Sequence, residues 1–157
     1  MPKLLCICGP NGAGKSTFSR AIAMQENLLV IDPDKLAAEG LSPIAAGKAA
    51  ARMARLFLKE GVSFARESTL TARFDFSLME EAKQRGYEVE LVYIRLASTE
   101  LALERVASRA SRGGHAVPSQ DVVRRFTRSL ENLPKAMALA DKTTILDNSS
   151  CNYKRIN

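Results

Sequence analysis

Apolar residues recur along this chain in two alternating rhythms. The runs Leu4–Cys8, Leu28–Ile31, Val62–Arg66, Val89–Leu96 and Thr143–Leu146 are short and rich in aliphatic and β-branched side chains, so they read as strands. Between them apolar positions return at helical spacing, and each such stretch carries its own start and stop signals. Ser42-Pro43 supplies a cap and a first-turn proline for a helix to about Lys59, closed by Gly61. A second helix is expected from about Phe74 to Arg85, stopped by Gly86. A third opens at Ser98 or Thr99 and runs through Leu101, Leu103 and Val106 to Arg109. After Gly113-Gly114, Ser119 with Asp121 in the first turn starts a long helix that Pro134 is expected to kink or divide. Strands separated by helices in this way predict one α/β domain over residues 1–157, a five-stranded parallel sheet wrapped on both faces.

Composition narrows the setting. A chain of 157 residues, 46% of them apolar and 25% charged, can bury a core without disulfides or a structural metal. No apolar run approaches the roughly 20 residues of a membrane span, and Met1-Pro2-Lys3 leads into a strand without a signal-peptide layout, so the expected location is the cytoplasm. Cys6 and Cys8 lie two apart on one strand and face the same way, a poor arrangement for bridging each other; they read as buried thiols rather than a metal pair. The formal charge of +6 is concentrated. Between Arg105 and Arg128 six arginines stand against one acid, Asp121. So local a cluster reads more economically as a clamp on phosphates than as a nucleic-acid surface, with a solvated helical face as the plainer alternative for any one of these arginines.

The clamp has something to close on. Gly9-Pro10-Asn11-Gly12-Ala13-Gly14-Lys15-Ser16-Thr17 matches G-x-x-x-x-G-K-[ST] in full, follows the first strand and precedes a helical pattern at Phe18, Ala21 and Ile22. Such a strand-loop-helix unit points backbone N–H groups and the positive end of a helix at one phosphate-sized spot. Lys15 would reach the β- and γ-phosphates of ATP, and the Ser16 hydroxyl would take a position on Mg²⁺.

Ligands of open α/β sheets sit beyond the carboxyl ends of the strands, and two of those ends carry acids. Asp32-Pro33-Asp34 follows the second strand, and Glu67-Ser68-Thr69-Leu70 follows the third. Asp34 is assigned as the acceptor of a proton from an attacking hydroxyl, against the alternative that it caps a short helix over Lys35–Glu39. Glu67 would grip the substrate or the metal shell, or else be a solvated loop acid. Thr69 divides between a substrate contact and a turn hydroxyl. An ABC transporter ATPase is disfavoured: the Leu-Ser-Gly-Gly-Gln signature is missing, and Ile145-Leu146-Asp147 is followed by Asn148 where a catalytic Glu would stand.

The phosphate loop, Val30-Ile31-Asp32-Pro33-Asp34, Glu67-Ser68-Thr69-Leu70, Gly86-Tyr87, Gly113-Gly114-His115-Ala116-Val117-Pro118, Arg124-Arg125-Phe126 and Ser129-Leu130-Glu131-Asn132-Leu133 together resemble the zeta-toxin family, whose members are often catalogued as predicted ABC-type ATPases. The resemblance covers nearly the whole chain. It implies an adenylate-kinase-like P-loop kinase that transfers the ATP γ-phosphate to the 3′-hydroxyl of UDP-N-acetylglucosamine, with an antitoxin protein as a partner. It also implies Lys15 and Ser16 as the phosphate and Mg²⁺ residues, Asp34 as the base, and Glu67 and Thr69 as a Glu-x-Thr that holds the sugar nucleotide. Arg73 would stand beside that pair, and Arg105 and Arg112 would reach the triphosphate.

Residues 109–118 then read as a lid with a Gly-Gly hinge that delivers Arg112 when both substrates are present. The sole histidine, His115, is expected to make a structural hydrogen bond, and Asp147-Asn148-Ser149 is positioned where adenine commonly lies in this fold. Alternatives remain open at this stage: a kinase for a polynucleotide end, a nucleoside or an antibiotic, with Lys35, Lys48, Arg52 and Arg55 as a basic track, or an ATP-gated binding module.

Overall fold

A computed structural model describes all of residues 1–157. In chain order the elements are β1 (Lys3–Cys8), α1 (Lys15–Glu26), β2 (Leu29–Ile31), α2 (Pro33–Ala38), α3 (Pro43–Glu60), β3 (Phe64–Ser68), α4 (Arg73–Gln84), β4 (Glu88–Arg95), α5 (Thr99–Ser111), α6 (Ser119–Leu139), β5 (Lys142–Asp147) and β6 (Lys154–Arg155). The sheet order is β2-β3-β1-β4-β5-β6. The first five strands are parallel, as expected. The sixth, only two residues long, pairs antiparallel with β5 through Leu146↔Arg155 and Asp147↔Lys154, so the sheet is mixed.

Strand periodicity sorts β1 between two cores. Leu4, Cys6 and Cys8 face α3, α4 and the end of α6, packing with Ala50, Leu58, Met79 and Ala136. Leu5 and Ile7 face the opposite way and pack with Ala102 and Val106 of α5 and Val122 and Phe126 of α6. Burial on both faces is what a parallel sheet requires, and it explains why β1 reads as an unbroken apolar run. Both strand thiols are free and buried; burial pushes Cys6 up to about 12, so neither serves as a neutral-pH nucleophile.

The caps follow the sequence signals. Ser42 Oγ accepts from Ala45 N, Pro43 opens α3, and Gly61 ends it at φ 69°. Ser98 Oγ accepts from Leu101 N at the start of α5. The alternative in which Asp34 caps a short helix is not seen: Asp32 caps α2, with Oδ1 accepting from Asp34 N at 3.0 Å. Helix α6 runs unbroken through Pro134, and its N-cap position is Pro118, with no side-chain cap.

One buried polar pair ties α6 to the sheet. Tyr93 Oη and Ser129 Oγ lie 2.8 Å apart, and both residues are at most 1% exposed. Burial raises the Tyr93 phenol to about 12, so it is neutral and needs a partner for its hydroxyl. Ser129→Ala is therefore expected to cost about 1–2 kcal/mol in chemical denaturation, with an unchanged m-value.

Candidate active site

The phosphate loop is shaped by two glycines that no other residue replaces. Gly9, at φ 154°, passes so close to β4 that a Cβ would lie 2.2 Å from Ile94 O. Gly14, at φ 90°, would put a Cβ 2.6 Å from Asn148 Nδ2 and 2.8 Å from Tyr153 Oη. Those two side chains brace the loop from the far end of the sequence: Asn148 Nδ2 donates to Ala13 O at 2.9 Å, and Tyr153 Oη donates to Gly14 O at 2.8 Å.

Within the loop the backbone N–H groups of Asn11, Gly12, Gly14, Lys15, Ser16 and Thr17 donate to nothing in the protein. Lys15 Nζ folds back on Gly9 O (2.9 Å) and Pro10 O (3.0 Å), and burial lowers its pKa against the pull of Glu67 and Asp34. Unclaimed N–H groups, a helix start and a half-buried ammonium are the donor set that a polyphosphate satisfies.

Glu67 sits under this cradle. The expectation of a strand over Val62–Arg66 was displaced by two residues, because Gly61 and Val62 still belong to the turn closing α3, where Val62 N donates to Phe57 O. Glu67 consequently lies inside β3, opposite Ile7, and is only 4% exposed. Its carboxylate accepts from Ser16 Oγ at 3.0 Å and from Ser19 Oγ one turn further along α1. It is no solvated loop acid. Burial raises its pKa, while the two serines oppose that shift. A carboxylate and a hydroxyl converging here suit Mg²⁺, which takes oxygen ligands and keeps several waters; no group of three or more His, Cys, Asp or Glu residues forms a complete protein cage.

The raised Glu67 pKa has a sign. The folded state holds this proton more tightly than the unfolded chain, so stability from this residue is full at low pH and falls as pH rises through the folded value. Glu67→Gln removes the buried charge, and at pH 7 it is expected to raise Tm by about 2 °C while lowering metal-dependent activity; calorimetry beside an activity assay checks both signs.

Three contiguous cavities surround the cradle. The first, about 280 Å³, joins the loop to Asp34, Glu67, Arg105 and Arg109. The second, about 240 Å³, shares Lys15, Asp34 and Glu67 with the first and extends over Thr69, Thr71, Arg66 and Arg125. The third, about 640 Å³, runs from Gly12, Gly14 and Thr17 along Arg105, Arg109 and Arg112 to Asn148 and Tyr153. Asp34, exposed in the first turn of α2, thus reaches both the phosphate cavity and the one beside it.

Thr69 is held in place by a strained turn. Leu70 is fully buried at φ 59°, left-handed for a β-branch-free but bulky residue, and is pinned by Ser68 Oγ accepting from its N–H and Asn132 Nδ2 donating to its carbonyl. Thr69 Oγ1 and Thr71 Oγ1 lie 2.9 Å apart beside the second cavity.

The remaining residues divide. Arg105 lies beside the loop, with Nη2 donating to Ser149 O at 2.8 Å. Arg112 lines the third cavity but not the first, whereas Arg109, not singled out above, lines both. The spacing i, i+4, i+7 puts Arg105, Arg109 and Arg112 on one helical face, a signal that was available. Arg73 is exposed at the first position of α4 and lines none of the three cavities. Arg125 and Ser19 are further additions. Residues 113–118 link α5 to α6 and are exposed apart from Val117, which packs on the second core; His115 makes no hydrogen bond there, contrary to expectation. Asn148 faces the third cavity while bracing the loop.

Comparison with known proteins accords with this geometry. A family model described as an AAA domain matches residues 4–133. The chain belongs to the AAA domain family. An uncharacterized protein of Haemophilus influenzae is 34% identical over 128 residues, covering 78% of this chain and 90% of that one. Among solved structures, the fold is similar to one from the PezAT chromosomal toxin-antitoxin system of Streptococcus pneumoniae, with TM-score 0.72 and 17% identity over 100% of this chain and 71% of that one. It is also similar to the AvrRxo1-ORF1:AvrRxo1-ORF2 structure with ATP, with TM-score 0.74 and 18% identity over 94% of this chain and 55% of that one. Shikimate kinase from Bacteroides thetaiotaomicron matches with TM-score 0.53 and 15% identity over 94% of this chain and 86% of that one. At these identities the likeness is one of fold: a single-domain, kinase-like α/β P-loop architecture. No helix is long and apolar enough to cross a membrane.

Proposed function

We propose that this protein is an ATP-dependent phosphotransferase acting on a hydroxyl of a small molecule, with a nucleotide sugar such as UDP-N-acetylglucosamine as the first acceptor to test. One observation carries the reading. Asp34, Lys15 and Glu67 line both the phosphate cavity and the adjoining one, so a base stands where two substrates would meet. In the reaction the acceptor O–H gives its proton to Asp34, its oxygen bonds the γ-phosphorus, and the bond from that phosphorus to the β–γ bridging oxygen breaks to release ADP. Lys15 and the free N–H groups of the loop neutralise the β- and γ-phosphates, and Arg105 and Arg109 stand where they can balance charge on the moving group. Arg112, further along the same face, is suited to the nucleotide's outer portion, or to the γ-phosphate if residues 109–118 close as a lid. Ser16 and Glu67 would hold Mg²⁺, which would shield the phosphate oxygens and polarise the leaving group.

The similarity to the PezAT fold extends the proposal to a toxin role and an antitoxin partner. A second reading has one observation in its favour: on α3, Lys48 next to Gly47, which lines the second cavity, and Arg52 one turn further on are exposed and unpaired, and would suit a polynucleotide end. Incubation with ATP, Mg²⁺ and a panel of nucleotide sugars, followed by mass spectrometry, tests the first reading through an added phosphate. Phosphorylation confined to nucleic-acid ends would replace it with the second, and no transfer to any hydroxyl, with ATP still bound, would favour a nucleotide-gated binding module.

A further inference from the structure

The second cavity carries a cation with nothing to neutralise. Of its three acids, Asp32 caps α2, Glu67 accepts from two serines, and Asp34, the candidate base, forms no ion pair with Arg125. Of its cations, Lys15 turns to the loop carbonyls, and Arg66 pairs through Nη1 with Asp75 while lying over the Phe74 ring at 5.0 Å. Arg66 also keeps a buried Nε with no acceptor. Arg125 has neither ion pair nor hydrogen bond, although it is half buried, while its sequence neighbour Arg124 faces outward and pairs with Asp121 at 2.8 Å. Partial burial makes an unpartnered guanidinium costly unless an anion completes the site. The lining is otherwise hydroxyl-rich, through Ser68, Thr69 and Thr71, and an apolar acceptor would find almost nothing to pack against.

We infer that the acceptor brings its own phosphate, and that Arg125 is the residue that selects for it. The inference rests on the kinase reading and names the substrate class of the same site. The guanidinium fork matches phosphate oxygens, its charge is permanent, and placing it in the cavity that also holds Asp34 lets the acceptor's phosphate anchor one end while its hydroxyl meets the base. A neutral sugar or nucleoside would leave Arg125 uncompensated and bind more weakly.

Calorimetry on protein saturated with Mg²⁺ and a non-hydrolysable ATP analogue tests this, because the analogue fills the phosphate loop. Inorganic phosphate is then expected to bind measurably, and UMP to bind about 10-fold or more tightly than uridine. Arg125→Gln should weaken phosphate and UMP by about 10-fold and leave uridine unchanged, whereas Arg124→Gln should change none of them. Equal affinity for the analogue in all three proteins shows that they are folded. If phosphate fails to bind the saturated wild type, or binds Arg125→Gln equally well, the inference is overturned while the kinase reading stands. If the analogue itself fails to bind, the kinase reading falls and takes the inference with it.

Discussion

Asparagine in place of Asp34 is expected to lower kcat by about 10³-fold and to leave ATP affinity within about twofold. The side chain is exposed in the first turn of α2, and the backbone there is fixed by Asp34 N donating to Asp32 Oδ1, so the substitution leaves the local structure intact. Asparagine keeps the size and one accepting oxygen of aspartate but cannot take a proton at neutral pH. In the proposed reading the nucleotide is held by Lys15 and the loop N–H groups; Asp34 acts on Lys15 only through its charge, and the change breaks none of the hydrogen bonds that place it. Steady-state kinetics with the acceptor identified by mass spectrometry, beside a direct nucleotide titration, read the two quantities separately. A kcat within about fivefold of wild type would remove Asp34 from the role of general base.

Lys15→Ala is expected to act on both quantities at once, raising the Kd for ATP by about 100-fold and lowering kcat by about 10²–10³-fold. The ammonium is half buried, donates to Gly9 O and Pro10 O, and has its pKa lowered by burial, so the fold holds it at some cost in readiness for an anion. Alanine removes the only lysine lining the phosphate cavity and leaves Arg105 and Arg109 to hold the phosphates from one side. Unchanged affinity and turnover in the same titrations would show that the triphosphate lies elsewhere.

What could be read from the sequence follows from how far apart the cooperating residues lie. The phosphate loop is contiguous, and its glycines, lysine and serine announce a site whose donors are mostly its own backbone. Asp34 and Glu67 were reachable because the ends of parallel strands converge, although the two-residue displacement of β3 turned Glu67 from a loop acid into a buried one that accepts from Ser16 and Ser19. The partners of Ala13 and Gly14 were not legible: Asn148 and Tyr153 are 135 and 139 residues away, and nothing local marks a carbonyl that needs a distant donor. Strand β6 is too short to have a periodicity. The tandem Arg124-Arg125 shows a further limit, since only the rotation of α6 against the sheet decides which of the two lines a cavity and which pairs with Asp121. Arg73, set beside Glu67 and Thr69 by resemblance alone, stands exposed at the start of α4 and outside the three cavities.

The brace on the phosphate loop also sets an order of events during synthesis. A ribosome delivers residues 9–17 early, but the groups that hold Ala13 and Gly14 in place leave the exit tunnel only after all of the first five strands have been made. A nascent chain therefore carries the phosphate-loop motif through the synthesis of all five parallel strands before the two side chains that brace it exist.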